Sequence, residues 1–159
     1  MSVHKAELLW QRREHVSEPS TYSRNHTVNL NGGQIVNVSA SVEYKGDEEM
    51  ADPEQLLISS LSSCHMLFFL AIAEMKGYTV ESYTDTPVGY LEKVPGGGVA
   101  VTRIELAPQV VFGGDKAIDQ QTLARIHNSA HKSCFIRNSI KAEVTIREMP
   151  VSQPEVACA

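Results

Sequence analysis

The chain has 159 residues, of which 42% are hydrophobic and 21% charged, enough for one globular domain with a real core. A formal net charge of −5 argues against a nucleic-acid binder, which would carry a basic stripe. The longest unbroken apolar run, residues 66–73, falls far short of the roughly 20 residues a membrane span needs. The first residues lack the apolar core of a signal peptide. Three cysteines are an odd count at spacings that suggest no disulfide framework. The cytoplasm is the expected compartment, where a disulfide would be transient and redox-active.

Residues 3–12 read as a first strand, followed by a loop through Glu18-Pro19-Ser20. Residues 26–30 and 34–39 flank Asn31-Gly32-Gly33, a hairpin signal. After a charged loop over 45–51, Asp52-Pro53 supplies an N-cap and a proline at the first helical position. Lys76-Gly77 supplies the terminating cation and glycine. The helix between them has about 24 residues and a length of ~36 Å. Apolar side chains point in nearly every direction around it, so burial on all sides is expected, with a partner subunit as the natural cover. Its serines are small enough to let another backbone pack closely.

Residues 78–94 and 99–112 read as two long strands joined by Pro95-Gly96-Gly97-Gly98, a turn without the lysine and hydroxyl of a phosphate loop. Asp119 can cap a helix running to residue 132, with Leu123, Ile126 and Ala130 on its apolar face. A short turn after Cys134 leads to a last strand over 142–148. The domain is expected to span 1–149, with 150–159 a flexible tail in which Cys158 is incidental.

Two cysteines sit in marked contexts. Cys64 lies inside the long helix, and Cys134 follows the second one. A cysteine in a buried helix is usually an inert small hydrophobe. A thiol reacts as its thiolate, and burial disfavours that form. Cys64 is too deep in its helix for the N-terminal dipole to help. A reactive Cys64 therefore needs a cation from elsewhere, and arginine suits best because it is always charged. Of Arg12, Arg13, Arg24, Arg103, Arg125, Arg137 and Arg147, Arg24 stands out at the edge of a loop before a strand. Glu54 precedes Cys64 by ten positions, ~80° short of whole turns, so a carboxylate there could hold an arginine that reaches the thiol. It could equally do no more than complement the helix dipole.

His127 and His131 are four apart on one helix face, with Cys134 three further on. That spacing permits a metal site, although no fourth ligand is evident. His65 adjoins Cys64 but points about 100° away, and reads as a satisfied buried histidine. No Gly-x-Ser-x-Gly or Cys-x-x-Cys occurs, which weakens hydrolase and thioredoxin-type readings.

At these residues the chain resembles the OsmC/Ohr family of hydroperoxide-reducing proteins. The segments that carry the resemblance are Asp52-Pro53-Glu54-Gln55-Leu56-Leu57 through Ser63-Cys64-His65, Ala130-His131-Lys132-Ser133-Cys134-Phe135-Ile136-Arg137-Asn138-Ser139, and Tyr22-Ser23-Arg24. The resemblance implies an α+β fold with antiparallel sheets packed around two helices, an intertwined homodimer, and active sites at the subunit interface. It implies thiol-dependent reduction of organic hydroperoxides. Cys64 falls on the peroxidatic position, Cys134 on the resolving one, Arg24 on the activating arginine and Glu54 on the glutamate that orients it. No metal, flavin or haem is implied, and the reductant in the family is often a lipoyl dithiol. Phe135 departs from the organic-hydroperoxide-resistance branch, which usually has proline there; His65 and His131-Lys132-Ser133 look closer to the OsmC-like branch.

The expectation is a cytoplasmic cysteine-based peroxidase that works through a Cys64–Cys134 disulfide. Leu61, Phe68 and Phe69 are candidates to line a pocket for the organic group, with core packing as their default role. The alternative is a stress-associated small-ligand binding protein of the same fold with little turnover.

Overall fold

A computed structural model describes residues 1–147 and 149–151. Glu148, the expected end of the last strand, and most of the expected tail, with Cys158, lie outside the described residues. The chain divides into two compact units, residues 1–56 and residues from 57 onward.

The first unit holds an antiparallel sheet ordered β1-β2-β3, from β1 (Glu7–Leu9), β2 (His26–Asn29) and β3 (Ile35–Val38). β1 is much shorter than the strand expected over 3–12. A 3-10 turn over Asn31–Gly33 closes the expected hairpin, and Gly32 and Gly33 both take positive φ there. Buried Ser39 organises the loop that follows. Its hydroxyl donates to Asn25 Oδ1 at 2.9 Å and accepts from the Asp47 amide at 3.1 Å. Asn25 Nδ2 in turn donates to Asp47 Oδ2 at 3.0 Å. Gly46 is obligatory here, because a Cβ would lie 1.5 Å from the Ala40 carbonyl oxygen.

The long helix α1 (Pro53–Met75) starts and stops as its sequence dictates. Asp52 Oδ1 accepts from the Gln55 amide at 2.7 Å and Gln55 Oε1 accepts from the Asp52 amide at 3.1 Å, a reciprocal capping box. At the other end Gly77 takes φ +75°; its amide bonds to Glu74 O at 2.8 Å and that of Tyr78 to Ala73 O at 3.0 Å. This pair of bonds is the Schellman arrangement.

The second unit is built on the rest of α1. Leu61, His65, Phe69 and Ala73, each four apart, form its buried stripe. The strand expected over 78–94 is two strands, β4 (Thr79–Thr84) and β5 (Val88–Val94), which belong to different sheets. The strand expected over 99–112 likewise splits into β6 (Gly98–Leu106) and β7 (Gln109–Gly113). β4 pairs with β7, and β5, β6 and β8 (Glu143–Ile146) form a three-stranded sheet. The breaks fall at Pro87 and Pro108, residues that cannot donate to a ladder. The β6–β8 pair is parallel, a departure from the all-antiparallel expectation. Helix α2 (Gln120–Ser133) is capped by Asp119, whose side chain accepts from the Thr122 amide at 2.6 Å. The expected turn after Cys134 is a short third helix, α3 (Phe135–Ser139).

Two apolar clusters flank α1. One joins Phe69 and Ala73 to Val110 and Phe112 of β7 and to Leu123, Ile126 and Ala130 of α2. The other joins Leu61 to Ile104 and Leu106 of β6 and to Cys134. Phe68 packs against both.

α1 is not buried on all sides within one chain. Leu67 is 60% and Met75 82% exposed, and the face away from the stripe is open. By length and by a mean hydropathy of 2.0 over 18 residues, α1 would also suit a bilayer. Its ties to the folded unit are nonetheless polar as well as apolar. Ser62 Oγ donates to Asp85 Oδ2 at 2.5 Å, and Asp85 Oδ1 accepts from the Ala107 amide at 2.8 Å. Asp85 thus pins α1 to both points where the long strands break.

Asp85→Ala should therefore cost about 1–3 kcal/mol, because it strands the Ala107 amide, whereas Ser62→Ala should cost less. Urea unfolding of the two variants measures the order.

Candidate functional site

The second unit brings the two marked cysteines together. Cys64 is half-buried in the middle of α1, and Cys134 is wholly buried at the junction of α2 and α3. Both are free thiols; Cys64 packs against the apolar cluster that holds Cys134, and its thiol acts on that of Cys134. Cys134 closes α2 and opens α3, with its Sγ accepting from the Arg137 amide at 3.4 Å. Burial pushes the Cys134 thiol up to about 11; the neighbouring Cys64 adds to the shift, and the Arg137 amide opposes it. Cys134 is therefore a protonated thiol at neutral pH.

The apolar candidates divide between the clusters. Leu61 and Phe68 share the cluster that holds both cysteines. Phe69 is fully buried in the other cluster, against His127, Tyr83 and Phe112. Phe135, which the sequence reading used only as a point of departure from one branch, is 71% exposed beside Cys134. It meets Phe68 edge-to-face with ring centroids 5.0 Å apart.

Arg24 and Glu54 belong to the first unit. Arg24 Nη1 donates to Thr21 Oγ1 at 3.2 Å and to the Tyr22 carbonyl, and its guanidinium lies 4.4 Å from the Tyr22 ring centroid. Trp10 supports Tyr22 edge-on at 5.8 Å and donates through Nε1 to Ser23 O at 2.9 Å. Glu54 stands in the first turn of α1, and among the described residues no ion pair joins it to Arg24. In the second unit Arg103 pairs with Glu92 and Glu105, and Arg147 with Glu105. Those two cations serve the sheet.

The histidines take a different arrangement from the metal spacing. His65 Nε2 and His127 Nδ1 lie 3.1 Å apart, so His127 is engaged with α1. Among the described residues no group of three histidine, cysteine or acidic side chains is placed to hold a metal ion. Burial lowers His65 to about 3, with His127 and His131 adding, and burial alone lowers His127 to about 4. Unfolding therefore takes up protons below the ordinary imidazole pKa of about 6.5, and acid destabilises the fold through these groups. The sequence marks His65 as buried and satisfied, but its partner sits 62 positions away and no local periodicity signals it.

Comparison with known proteins agrees with this architecture. A family model described as OsmC-like protein matches residues 46–149. The uncharacterised protein YmaD of Bacillus subtilis is 26% identical over 117 residues, covering 73% of this chain and 77% of that protein. An OsmC-like protein of unknown function from Vibrio cholerae is 43% identical with a TM-score of 0.85, over 92% of this chain and 99% of its own. The organic hydroperoxide resistance protein OhrB of Bacillus subtilis shares the fold with a TM-score of 0.61 and 15% identity, over 96% of this chain and 99% of its own.

The difference in burial between the thiols predicts unequal labelling of the reduced protein. Iodoacetamide at pH 8 should modify Cys64 first and Cys134 only after unfolding, as followed by peptide mass spectrometry. Equal labelling of the native protein would contradict the placement of Cys134.

Proposed function

The chain belongs to the OsmC-like protein family, and from that premise we propose that it is a cysteine-based peroxidase acting on organic hydroperoxides. The observation that carries the proposal is the approach of a half-exposed free thiol within α1 to a buried free thiol at the α2–α3 junction. Support for the substrate class comes from fold relatives named as organic hydroperoxide resistance proteins, among them those of Bacillus subtilis and Legionella pneumophila.

In the proposed cycle the Cys64 thiolate attacks the terminal oxygen of the hydroperoxide. The S–O bond forms as the O–O bond breaks, and the alkoxide leaves with a proton as alcohol. The Cys134 sulfur then attacks the sulfenic acid; the S–S bond forms and water departs with the Cys134 proton. An external dithiol returns two electrons and two protons by exchange, and a lipoyl protein would serve. Arg24 is proposed as the cation for the thiolate and the developing negative oxygen, and Glu54 as the carboxylate that orients it. Arg24 precedes the residues matched by the family model, so its assignment rests on the Tyr22-Ser23-Arg24 resemblance. Leu61 and Phe68 are proposed to form the apolar side of the site, whereas Phe69, buried in the other cluster, serves the core. The cytoplasm is the compartment that suits this chemistry.

We propose further that a second copy of the chain covers the open face of α1, where Leu67 and Met75 are exposed. Light scattering should then report a particle of twice 17.5 kDa. A stable folded monomer at micromolar concentration would refute the dimer.

Rapid kinetics of the reduced protein with an alkyl hydroperoxide and hydrogen peroxide in parallel tests the activity. The organic substrate should react faster. Cys64→Ser should abolish the reaction, whereas Cys134→Ser should consume a single equivalent and stall as a sulfenic acid. A slow, non-saturating reaction with both peroxides would favour a small-ligand binding protein instead.

A further inference from the structure

The peroxidase cycle makes no use of the most deeply buried polar contact between the two cysteine helices. His65 follows Cys64 on α1, and His127 lies on α2, which ends at Cys134. His65 is 1% exposed. Its Nε2 lies 3.1 Å from His127 Nδ1, and the two rings are parallel within 4°. Phe69 packs on His127 with centroids 4.4 Å apart. Such a contact contains one proton, with one ring nitrogen donating and the other accepting. Charging both rings would set two donors and two positive charges against each other in an apolar surround.

Among the described residues no group that acts on the pair favours its charged form. His131 faces it from α2 and adds repulsion, and Arg137 of α3 acts on His131 in the same sense. On the sheet side Tyr83 of β4 reaches Phe69, and burial holds its phenol well above the ordinary range, so it stays neutral. β7 contributes Phe112. Beside His127 on the outer side lie the neutral amides of Gln120 and Asn128. The carboxylate on the sheet side is Asp85, which acts on Tyr83 and is bonded by Ser62 Oγ and the Ala107 amide; among the described residues no interaction joins it to either imidazole.

We infer that His65 and His127 are positioning residues: their hydrogen bond sets α1 against α2 and so holds Cys134 within closing distance of Cys64, as long as the two rings are not both charged. The inference deepens the peroxidase reading, because disulfide closure is the second step of that cycle. A disulfide needs Cα atoms within ~7 Å, so a small drift between two rigid helices suffices to slow closure. Acid should act on the same bridge. The first added proton leaves the bridging N–H···N bond in place; as the pH falls below about 4, where His127 titrates, towards about 3, where His65 titrates, both rings become charged, the bond is lost and closure slows beyond what thiol ionisation alone causes.

The test closes the disulfide with diamide, which takes two electrons and two protons from a dithiol and becomes the hydrazine. The readout therefore does not depend on peroxide reactivity. His127→Leu removes the bond. His127→Asn returns an amide to the Nδ1 position, and His65→Gln does the same for Nε2. Closure, measured by acid quench and peptide mapping, should slow by about tenfold or more in His127→Leu and recover in His127→Asn. Between about pH 5 and about pH 3 the parent should lose closure rate more steeply than the His65→Gln/His127→Asn double variant. Parental closure in His127→Leu, equal slowing in His127→Asn, or a parent that does not close with diamide would overturn the inference. If His127→Leu fails to fold, the pH profiles decide, and coincident profiles overturn it. A parent that closes with diamide but not with hydroperoxide refutes the peroxidase reading and leaves the bridge standing.

Discussion

The approach of a thiol within α1 to one at the α2–α3 junction is the constraint on which the proposed chemistry depends. Cys64 is fixed along α1 by caps at both ends, the Asp52–Gln55 box and the Gly77 stop. Cys134 is fixed by a different device, a change of helix direction in which its own sulfur caps α3. Between them, Leu61, Ile104 and Leu106 exclude water from the buried sulfur. A sulfur in that position is a poor thiolate, which suits the second step of the proposed cycle better than the first. The asymmetry of burial is what supports assigning the two cysteines separate roles in the proposed cycle.

The same constraint explains the polar ties around α1. A helix this apolar could slide against its neighbours at little cost, since apolar contacts are non-directional. Directional bonds fix its register. Ser62 is tied to Asp85, and His65 to His127, with Cys64 lying between those two positions. The open face of α1 remains the part of the helix that a single chain does not explain.

Features with short-range causes were legible in the sequence. The ends of α1, the Asp119 cap of α2 and the hairpin turn each follow from neighbouring residues. The context of the cysteines carried the family. Less legible were features whose cause is distant. Residues 78–94 look like one strand, and the Asp85 contact with Ala107 that accompanies the break spans 22 positions. The prolines at 87 and 108 are the local signals of the strand breaks, since neither can donate to a ladder. Parallel pairing of β8 with β6 depends on topology, which composition does not encode. The His65–His127 bond has the same character: each residue reads as an ordinary core histidine until the helices are packed.

The thiol contact is tested most directly by identifying the bond that forms. Reduced protein is given a single equivalent of an alkyl hydroperoxide, quenched with acid and mapped by peptide mass spectrometry under non-reducing conditions. The account predicts one intramolecular bond between Cys64 and Cys134, with Cys158 left as a free thiol. A bond to Cys158, a bond between two chains, or a Cys64 sulfenic acid that persists with Cys134 still free would contradict it.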